Sequence, residues 1–278
     1  MLTRLASVLV AWVVVLGGAM ASEAPFELEA KIVASEGSDT DWFGRVVRMS
    51  GQWAVVGAPN HDGIRGDRSP PYDHNAGATY VLRKHESGEW LEHTILLGGW
   101  HGDSFGDDVA ISGPRIVVGA SGDDTPVNGT DCGSAEIFVL DSNNQWVTET
   151  KLLDSKGGPY EYFGLSVAID EDTIAVWARD DRSVVIFERT SSNWHEVQRL
   201  QVSGTARHVY RVAIAMHENV LMVADVFDDT LGPVTGAVYV FVRDGGIWVE
   251  KQKLFASDAA AYANFGTSID IDGDRAVV

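Results

Sequence analysis

Short runs in which apolar and polar residues alternate fill the chain from about residue 26 onward, and polar turns separate them. Such alternation is typical of β-strands with one buried face. In each unit a Phe-Gly pair opens one run, a short polar turn follows, and a β-branched run such as 116–118 returns to a small residue. Each unit therefore begins with a predicted β-hairpin.

The hairpin unit recurs five times, and its Phe lies 14 residues before the closing position in each of the first three copies. A Trp that leads into a further alternating run keeps the same register. The motif residues are Phe43, Gly44 and Gly57; Phe105, Gly106 and Gly119; Phe163 and Gly164; a degraded copy from about 208 to 224; Phe265 and Gly266; and the Trp markers Trp90, Trp146, Trp194 and Trp248. A run rich in aromatic and β-branched residues precedes each Trp, so a repeat predicts four antiparallel strands, which is one β-propeller blade.

The paired Phe-Gly and Gly-Ala-Pro motifs, followed by a Trp strand, resemble the FG-GAP repeat family, the seven-bladed propeller of integrin α-subunits and of many secreted proteins. The resemblance covers residues 26–278. It implies an all-β fold, a β-propeller of four-stranded antiparallel blades, and an extracellular binding or adhesion module rather than a catalyst. One propeller scaffold supports many unrelated activities, so the resemblance predicts the fold more narrowly than the function.

The repeats predict about four blades and the start of a fifth, which we expect to belong to an incomplete seven-bladed ring. Residues 26–32 match the pattern of 146–152, a predicted outer strand. We therefore expect 26–32 to complete a C-terminal blade, so that no sheet edge stays open. The predicted blades span about 43–97, 105–153, 163–200, 208–254 and 265–278.

The N-terminal residues predict where the protein is located, and its net charge limits the kinds of partner that it can bind. Residues 1–21 combine a basic start, a short apolar stretch and a small-residue cleavage site, which predicts a signal peptide and a secreted mature chain. No later segment predicts a membrane span. The net charge of −19 argues against nucleic-acid partners, because binding to phosphates needs clustered Lys and Arg. The single cysteine, Cys132, excludes an intrachain disulfide.

Loops of variable length join the second and third strands of each blade, and they share a face with the segments between blades. We expect this face to bind an extracellular protein or glycan. Its predicted ligand-binding residues are Asn60, Asp62, Asp67, Asp123, Asp124, Asp228 and Asp229, in the loops 60–76, 121–132 and 225–235, beside the inter-blade segments 98–104, 154–162 and 255–264. The alternative interpretation is that these acids are solvated loop carboxylates without a ligand.

The integrin-like members of the family carry an Asp-rich calcium loop between the Phe-Gly and the Gly-Ala-Pro, and this chain departs from them there. Short turns replace the loop, whereas calcium needs about six to eight oxygen ligands. Asp270, Asp272 and Asp274 have part of the spacing, but Asp272-Gly273 is more typical of a hairpin turn. We therefore expect no metal site and no cofactor, with calcium as the remaining alternative.

The sequence offers little support for catalysis, because its eight His are scattered and no paired metal-binding His, Gly-x-Ser-x-Gly or phosphate-binding loop occurs. We therefore expect a binding protein and not an enzyme. Two alternatives stay open: the non-catalytic propeller part of a secreted hydrolase, and a structural envelope or matrix protein. The sequon at Asn128 predicts a glycosylation site if the source is eukaryotic.

Overall fold

The computed structural model describes residues 11–13, 30–62, 75–203 and 212–278. Four four-stranded antiparallel sheets and a further hairpin follow one another in chain order within these ranges. No helix in the described part of the chain is long and apolar enough to cross a membrane. The predicted fold, an all-β propeller with four blades and the start of a fifth, is confirmed.

In each of the first four blades, consecutive strands pair antiparallel in chain order, from the innermost strand to the outermost. The strands outside the blades are β1 (Ala11–Val13) and β2 (Ala30–Ile32). The strands of the blades are, in blade 1, β3 (Val47–Ser50), β4 (Trp53–Ala58), β5 (Ala78–Lys84) and β6 (Trp90–Leu97); in blade 2, β7 (Phe105–Ser112), β8 (Arg115–Ala120), β9 (Ser134–Leu140) and β10 (Trp146–Leu152); in blade 3, β11 (Val167–Asp170), β12 (Thr173–Ala178), β13 (Ser183–Thr190) and β14 (Asn193–Gln201); in blade 4, β15 (Val212–His217), β16 (Val220–Asp225), β17 (Ala237–Asp244) and β18 (Ile247–Leu254); and in blade 5, β19 (Asp270–Asp272) and β20 (Arg275–Val277).

The apolar cores lie between neighbouring blades. Trp53 of blade 1 meets Trp146 of blade 2 edge to face, with ring centroids 5.3 Å apart, and both side chains are buried. Trp248 is buried in a cluster shared by blades 3 and 4, and Trp90 is buried on the free side of blade 1. Each buried side chain of this size contributes about 2 kcal/mol through its removal from water. Trp146 and Trp248 therefore join the packing between blades, whereas Trp90 packs with the residues near the N-terminus.

Trp194 is the half-buried member of the Trp series. It packs against the cluster between blades 2 and 3, and its Nε1 donates to Glu149 Oε2 at 3.2 Å. Arg115 also donates to this carboxylate, at 3.0 Å, and its guanidinium lies 6.0 Å from the Trp194 ring centroid. The third blade thus uses a polar contact where the other blades bury the indole.

The turns between the first two strands of blades 1 to 4 are linked into a chain of hydrogen bonds at one end of the propeller. Gly113 N donates to Ser50 Oγ at 3.3 Å, and Glu171 N donates to Ser112 Oγ at 3.0 Å. Glu218 N continues the series from blade 4 to Asp170 of blade 3. The innermost strands of all five blades line a common central cavity above these turns.

The glycines of the repeat meet across the junctions between blades. Gly106 has a φ of 95°, a left-handed conformation that favours glycine. A Cβ on Gly57 of blade 1 would lie 2.2 Å from Gly106 O, and one on Gly119 of blade 2 would lie 1.9 Å from Gly164 O. The Phe-Gly of one blade and the Gly-Ala of the blade before it therefore form a contact that leaves no room for a side chain.

The junction between blades 3 and 4 replaces this glycine contact with a large side chain. Trp177 occupies the position of Gly57, 14 residues after Phe163, and it is fully buried in the cluster between the two blades. By the same interval, Tyr210-Arg211 stands where the fourth copy would carry Phe-Gly, although both residues lie outside the described ranges. Blade 3 thus lacks the motif glycine at its junction with blade 4, which is the blade that lacks a Phe-Gly.

Residues near the N-terminus cover the free side of blade 1. Ala30 and Ile32 of β2 pack against the cluster that contains Tyr80 and Trp90, and β2 pairs antiparallel with β1. Residues 26–29, and all of the predicted signal peptide except 11–13, lie outside the described ranges. The pairing of 26–32 with a C-terminal blade stays a prediction.

Candidate functional site

Backbone hydrogen bonds join the inter-blade segments before Phe105, Phe163 and Phe265 to the loop between strands two and three of the preceding blade. At the junction of blades 2 and 3, Tyr160 N donates to Thr130 O at 2.8 Å, and Phe163 N donates to Cys132 O at 3.0 Å. Tyr262 N and Phe265 N make the corresponding bonds to Pro233 O and Thr235 O. In blade 2, Phe105 N donates likewise to Ala76 O, and Ser104 N donates to Asn75 O as Tyr162 N does to Asp131 O. These bonds place the loops and segments on one surface, which we call the loop face.

Four aromatic side chains stand exposed on the loop face. Trp42, Trp100, Tyr160 and Tyr262 have exposed fractions of 52%, 70%, 54% and 70%, and no other Trp, Tyr or Phe among the described residues is as exposed. All four precede the Phe of a Phe-Gly motif by one to five residues. Large aromatic side chains exposed together on one surface are a feature of binding sites.

Tyr160 and Tyr262 occupy equivalent and strained positions, each three residues before a motif Phe. Their φ angles are 66° and 65°, a region that costs a bulky residue roughly 1–2 kcal/mol. Gly102 fills the same position in blade 2, with a φ of 86°. Two tyrosines are therefore held, without burial of their rings, where the backbone favours glycine.

Sequence reasoning missed these tyrosines because it considered the loop carboxylates and the Trp markers. The signal was in the repeat itself: with the copies superposed on Phe-Gly, the third position upstream is Gly in one blade and Tyr in two others. An exposed aromatic residue at a turn position that accepts glycine is more informative than an acidic residue in a loop.

Asp123 and Asp228, two of the predicted ligand-binding residues, are buried, so the alternative interpretation that they are solvated does not hold for them either. Asp123 Oδ2 accepts from Lys151 Nζ at 2.8 Å and from Ser134 Oγ at 2.5 Å. Asp228 makes the equivalent contact with a lysine of β18, and a buried carboxylate needs such a partner. The two aspartates anchor their loops to the outer strand and present no carboxylate at the surface.

The other predicted ligand residues are spread along the loop face. Asp124 is exposed, and its Oδ1 accepts from Asp131 N at 2.7 Å. Asn60 is half-buried and its backbone N donates to Asp41 O, whereas Asp229 is exposed on the blade 4 loop. Asp62 is half-buried at the end of the described part of its loop, and Asp67 lies outside the described residues. The structure brings these acids to one face, but not into one cluster.

Asn128 and Cys132 both lie in the blade 2 loop. Asn128 Nδ2 donates to Asp154 O at 2.9 Å, which links the loop to the next inter-blade segment. A glycan attached at Nδ2 would have to fit beside this contact, and glycosylation of Asn128 stays a prediction. Cys132 is buried, and its thiol donates to Asp123 O at 3.3 Å.

The segment that carries Tyr160 ends on a buried acidic group. Glu161 Oε2 accepts from Gly158 N at 3.1 Å, as Asp103 Oδ2 of blade 2 accepts from Trp100 N at 2.7 Å. Burial, with smaller effects of Asp154, raises the pKa of Glu161 to about 8, and burial likewise raises the pKa of Asp103 to about 6. Both carboxyl groups therefore stay protonated to a higher pH than an ordinary Glu or Asp side chain does.

No group of three or more His, Cys, Asp or Glu with metal-binding geometry occurs among the residues that the structure describes. Asp270 and Asp272 lie in β19, where Asp272 pairs with Arg275 across the hairpin turn that contains Gly273. Asp270 and Asp272 have exposed side chains, as has Asp274 in the turn. The turn interpretation of Asp272-Gly273 is confirmed, while the absence of calcium binding stays a prediction.

A family model described as FG-GAP repeat matches residues 26–82, 97–138, 146–186 and 248–278. The chain belongs to the FG-GAP repeat family. The matches leave out most of blade 4, the copy that lacks Phe-Gly. The comparison with curated proteins gave no match.

Two solved structures to which this FG-GAP repeat chain is similar share little sequence with it. One is described as a 6-phosphogluconolactonase from Bacteroides uniformis, with 12% identity, a TM-score of 0.50, and coverage of 82% of this chain and 61% of that chain. Another is the N-terminal domain of Nup159, with 12% identity, a TM-score of 0.42, and coverage of 82% and 51%. This chain thus spans less than two thirds of either one. At such identity the first likeness shows the fold alone.

Proposed function

We propose that this FG-GAP repeat chain is a secreted, non-catalytic binding module, and that its loop face engages an extracellular protein or glycan. The observation that carries the proposal is the pair Tyr160 and Tyr262. Their rings are exposed and their backbones are held in an unfavourable conformation, so stability alone does not account for them. A ring on a fixed backbone loses little freedom on binding, which favours affinity.

The composition of the loop face supports either class of partner. Aromatic rings supply contact area to a protein surface and stack on sugar rings, while nearby exposed acids such as Asp124 and Asp229 accept hydrogen bonds. The acidic net charge argues against nucleic acid. The N-terminal pattern of residues 1–21 supports secretion.

The module should fold without calcium. Lys151 and Lys253 already neutralise Asp123 and Asp228, the buried loop carboxylates of blades 2 and 4. A ligand of the native state raises stability in proportion to the logarithm of its concentration over its dissociation constant. We therefore expect the same thermal midpoint in calcium and in chelator, and a rise of several degrees in calcium would contradict this.

A binding array tests the proposed function. The mature chain should bind at least one member of an array of extracellular proteins and glycans, and Tyr160→Gly with Tyr262→Gly should weaken that binding by tenfold or more, as expected for about 1.4 kcal/mol. The matched control is Leu91→Ser with Val147→Ser, which changes two exposed apolar residues on outer strands.

The glycine variants should fold as well as the wild type, because Gly102 shows that the turn accepts glycine. Thermal unfolding therefore separates lost contacts from lost structure. Equal binding by the wild type and the tyrosine variant, or equal weakening by the control variant, would contradict the proposal. Absence of binding to any array member would favour a structural role.

A further inference from the structure

Two buried carboxyl groups accept hydrogen bonds from the backbone of the turn that carries Tyr160. Asp154 and Glu161 are both buried, and they meet beside Gly157, where a Cβ would lie 3.0 Å from Asp154 Cβ and 3.0 Å from Glu161 Oε2. The two carboxyl groups are therefore close enough to share a hydrogen bond. Lys156 N donates to Asp154 Oδ1 at 2.8 Å, and Gly158 N donates to Glu161 Oε2 at 3.1 Å. The pair therefore ties the start of the turn to its end.

The guanidinium of Arg199 contacts Asp154 and two further carboxylates beside the pair. Arg199 Nη1 donates to Asp154 Oδ2 at 3.0 Å and to Asp181 Oδ2 at 2.9 Å, and its Nη2 lies 3.4 Å from Glu196 Oε1. Three carboxylates already face the single positive charge of Arg199. A fourth charge on Glu161 would lack a partner in a buried place, which is costly.

The remaining cations near the turn are occupied or distant from the carboxyl pair. The guanidinium of Arg179 stacks over the Tyr162 ring, 4.2 Å from its centroid, and its Nε lies 4.0 Å from Asp180 Oδ1. The side chain of Lys156 is exposed. The stable arrangement is therefore one proton shared by the pair, carried by Glu161 and donated to the Asp154 carboxylate.

We propose that Asp154 and Glu161 form a proton-dependent latch. While the proton is shared, the latch holds the turn and Tyr160 in the conformation that the loop face presents. When the proton passes to water, repulsion between the two carboxylates weakens the closed turn. The latch rests on the proposed function in one respect, since control of binding requires that Tyr160 contact the partner.

The direction of the pH effect follows from linkage. Burial, followed by the hydrogen bond and charge of Asp154, raises the pKa of Glu161 from 4.5 to about 8. Burial also opposes ionisation of Asp154, but hydrogen bonds led by that of Arg199 outweigh it and lower its pKa. The closed turn thus binds one proton more than the open turn between about pH 4.5 and 8. The stabilisation is full below pH 4.5, decreases as the pH rises, and is lost above about 8.

Blade 5 supplies a matched internal control. Its segment makes the same backbone bonds, from Tyr262 N to Pro233 O at 2.8 Å and from Asn264 N to Val234 O at 3.2 Å. Ala263 stands at the position of Glu161, so this segment has no carboxyl pair. A pH effect of the latch should therefore appear in blade 3 and be missing in blade 5.

Amide hydrogen exchange on the intact chain, corrected for the intrinsic pH dependence of exchange, tests the latch. In the wild type, protection of the Tyr160 and Tyr162 amides should fall roughly tenfold or more between about pH 5.5 and 7.5, and level off above about 8.5. Glu161→Gln keeps a neutral donor at every pH, so its protection should stay constant. Tyr262 and Asn264 should show constant protection in both proteins.

Constant protection of Tyr160 and Tyr162 in the wild type would overturn the latch. So would an equal loss in Glu161→Gln, or an equal loss at Tyr262 and Asn264. These measurements need no partner, so they decide on the latch separately from the binding array. If the latch controls binding, affinity for the array ligand should fall over the same pH range in the wild type and stay constant in Glu161→Gln.

Discussion

Single residues in this propeller serve either the scaffold or its surface, and the repeat distinguishes the two. The motif glycines are required by a close approach: at Gly106 a Cβ would lie 2.5 Å from Ala78 O. Asp123 and Asp228 are likewise structural, since each is buried against a lysine. Tyr160 and Tyr262 bury nothing comparable and adopt a strained backbone, and for this reason we propose that they contact a partner.

The close approach of the backbone at Gly106 predicts how much stability a single added methyl group would remove. Gly106→Ala should lower the free energy of unfolding by about 2–4 kcal/mol, because the new Cβ must displace backbone atoms as well as adopt a positive φ. Gly51→Ala is the control, since Gly51 has a φ of 57° but nothing within 4 Å of its Cβ position. Denaturant unfolding should show about 1 kcal/mol for the control, and equal losses in both variants would refute the steric explanation.

At the scale of elements, the junctions between blades follow one design with a single exception among those described. Backbone bonds join Phe105, Phe163 and Phe265 to the preceding loop, and glycines or a small residue fill the contact beneath. Between blades 3 and 4 the loop shrinks to 179–182 and Trp177 fills the junction instead. A larger side chain on one blade thus accompanies the loss of the Phe-Gly on the next.

Removal of this side chain should be costly. Trp177→Gly restores the residue found at the first two junctions, but it leaves a cavity, because blade 4 has no matching motif. We expect a loss of about 3–5 kcal/mol in the free energy of unfolding, and a smaller loss for Trp177→Phe. Calorimetry measures both, and a stable Trp177→Gly variant would show that blades 3 and 4 close without the indole.

At the scale of the whole molecule, the fold could be predicted from the sequence, but the candidate site could not. The interval of 14 residues and the Trp series specify hairpins and blades, because every repeat must bury the same faces. The burial of Asp123 could not be predicted, since its lysine partner lies 28 residues away on the outer strand β10. Nor could the contact of Asp154 with Glu161 and Arg199, which depends on how two blades meet.

We propose that a partner binds the loop face, and hydroxyl-radical footprinting of the complex with the array ligand tests this most directly. The exposed reactive side chains are well distributed for this purpose, because Met49 lies near the opposite turns and Leu91, Val147 and Ile247 lie on outer strands. We predict that the ligand protects Tyr160 and Tyr262, and with them Trp42 or Trp100, and leaves Met49 and the outer-strand residues reactive. Protection of Met49 or the outer strands, with both tyrosines still reactive, would contradict the account.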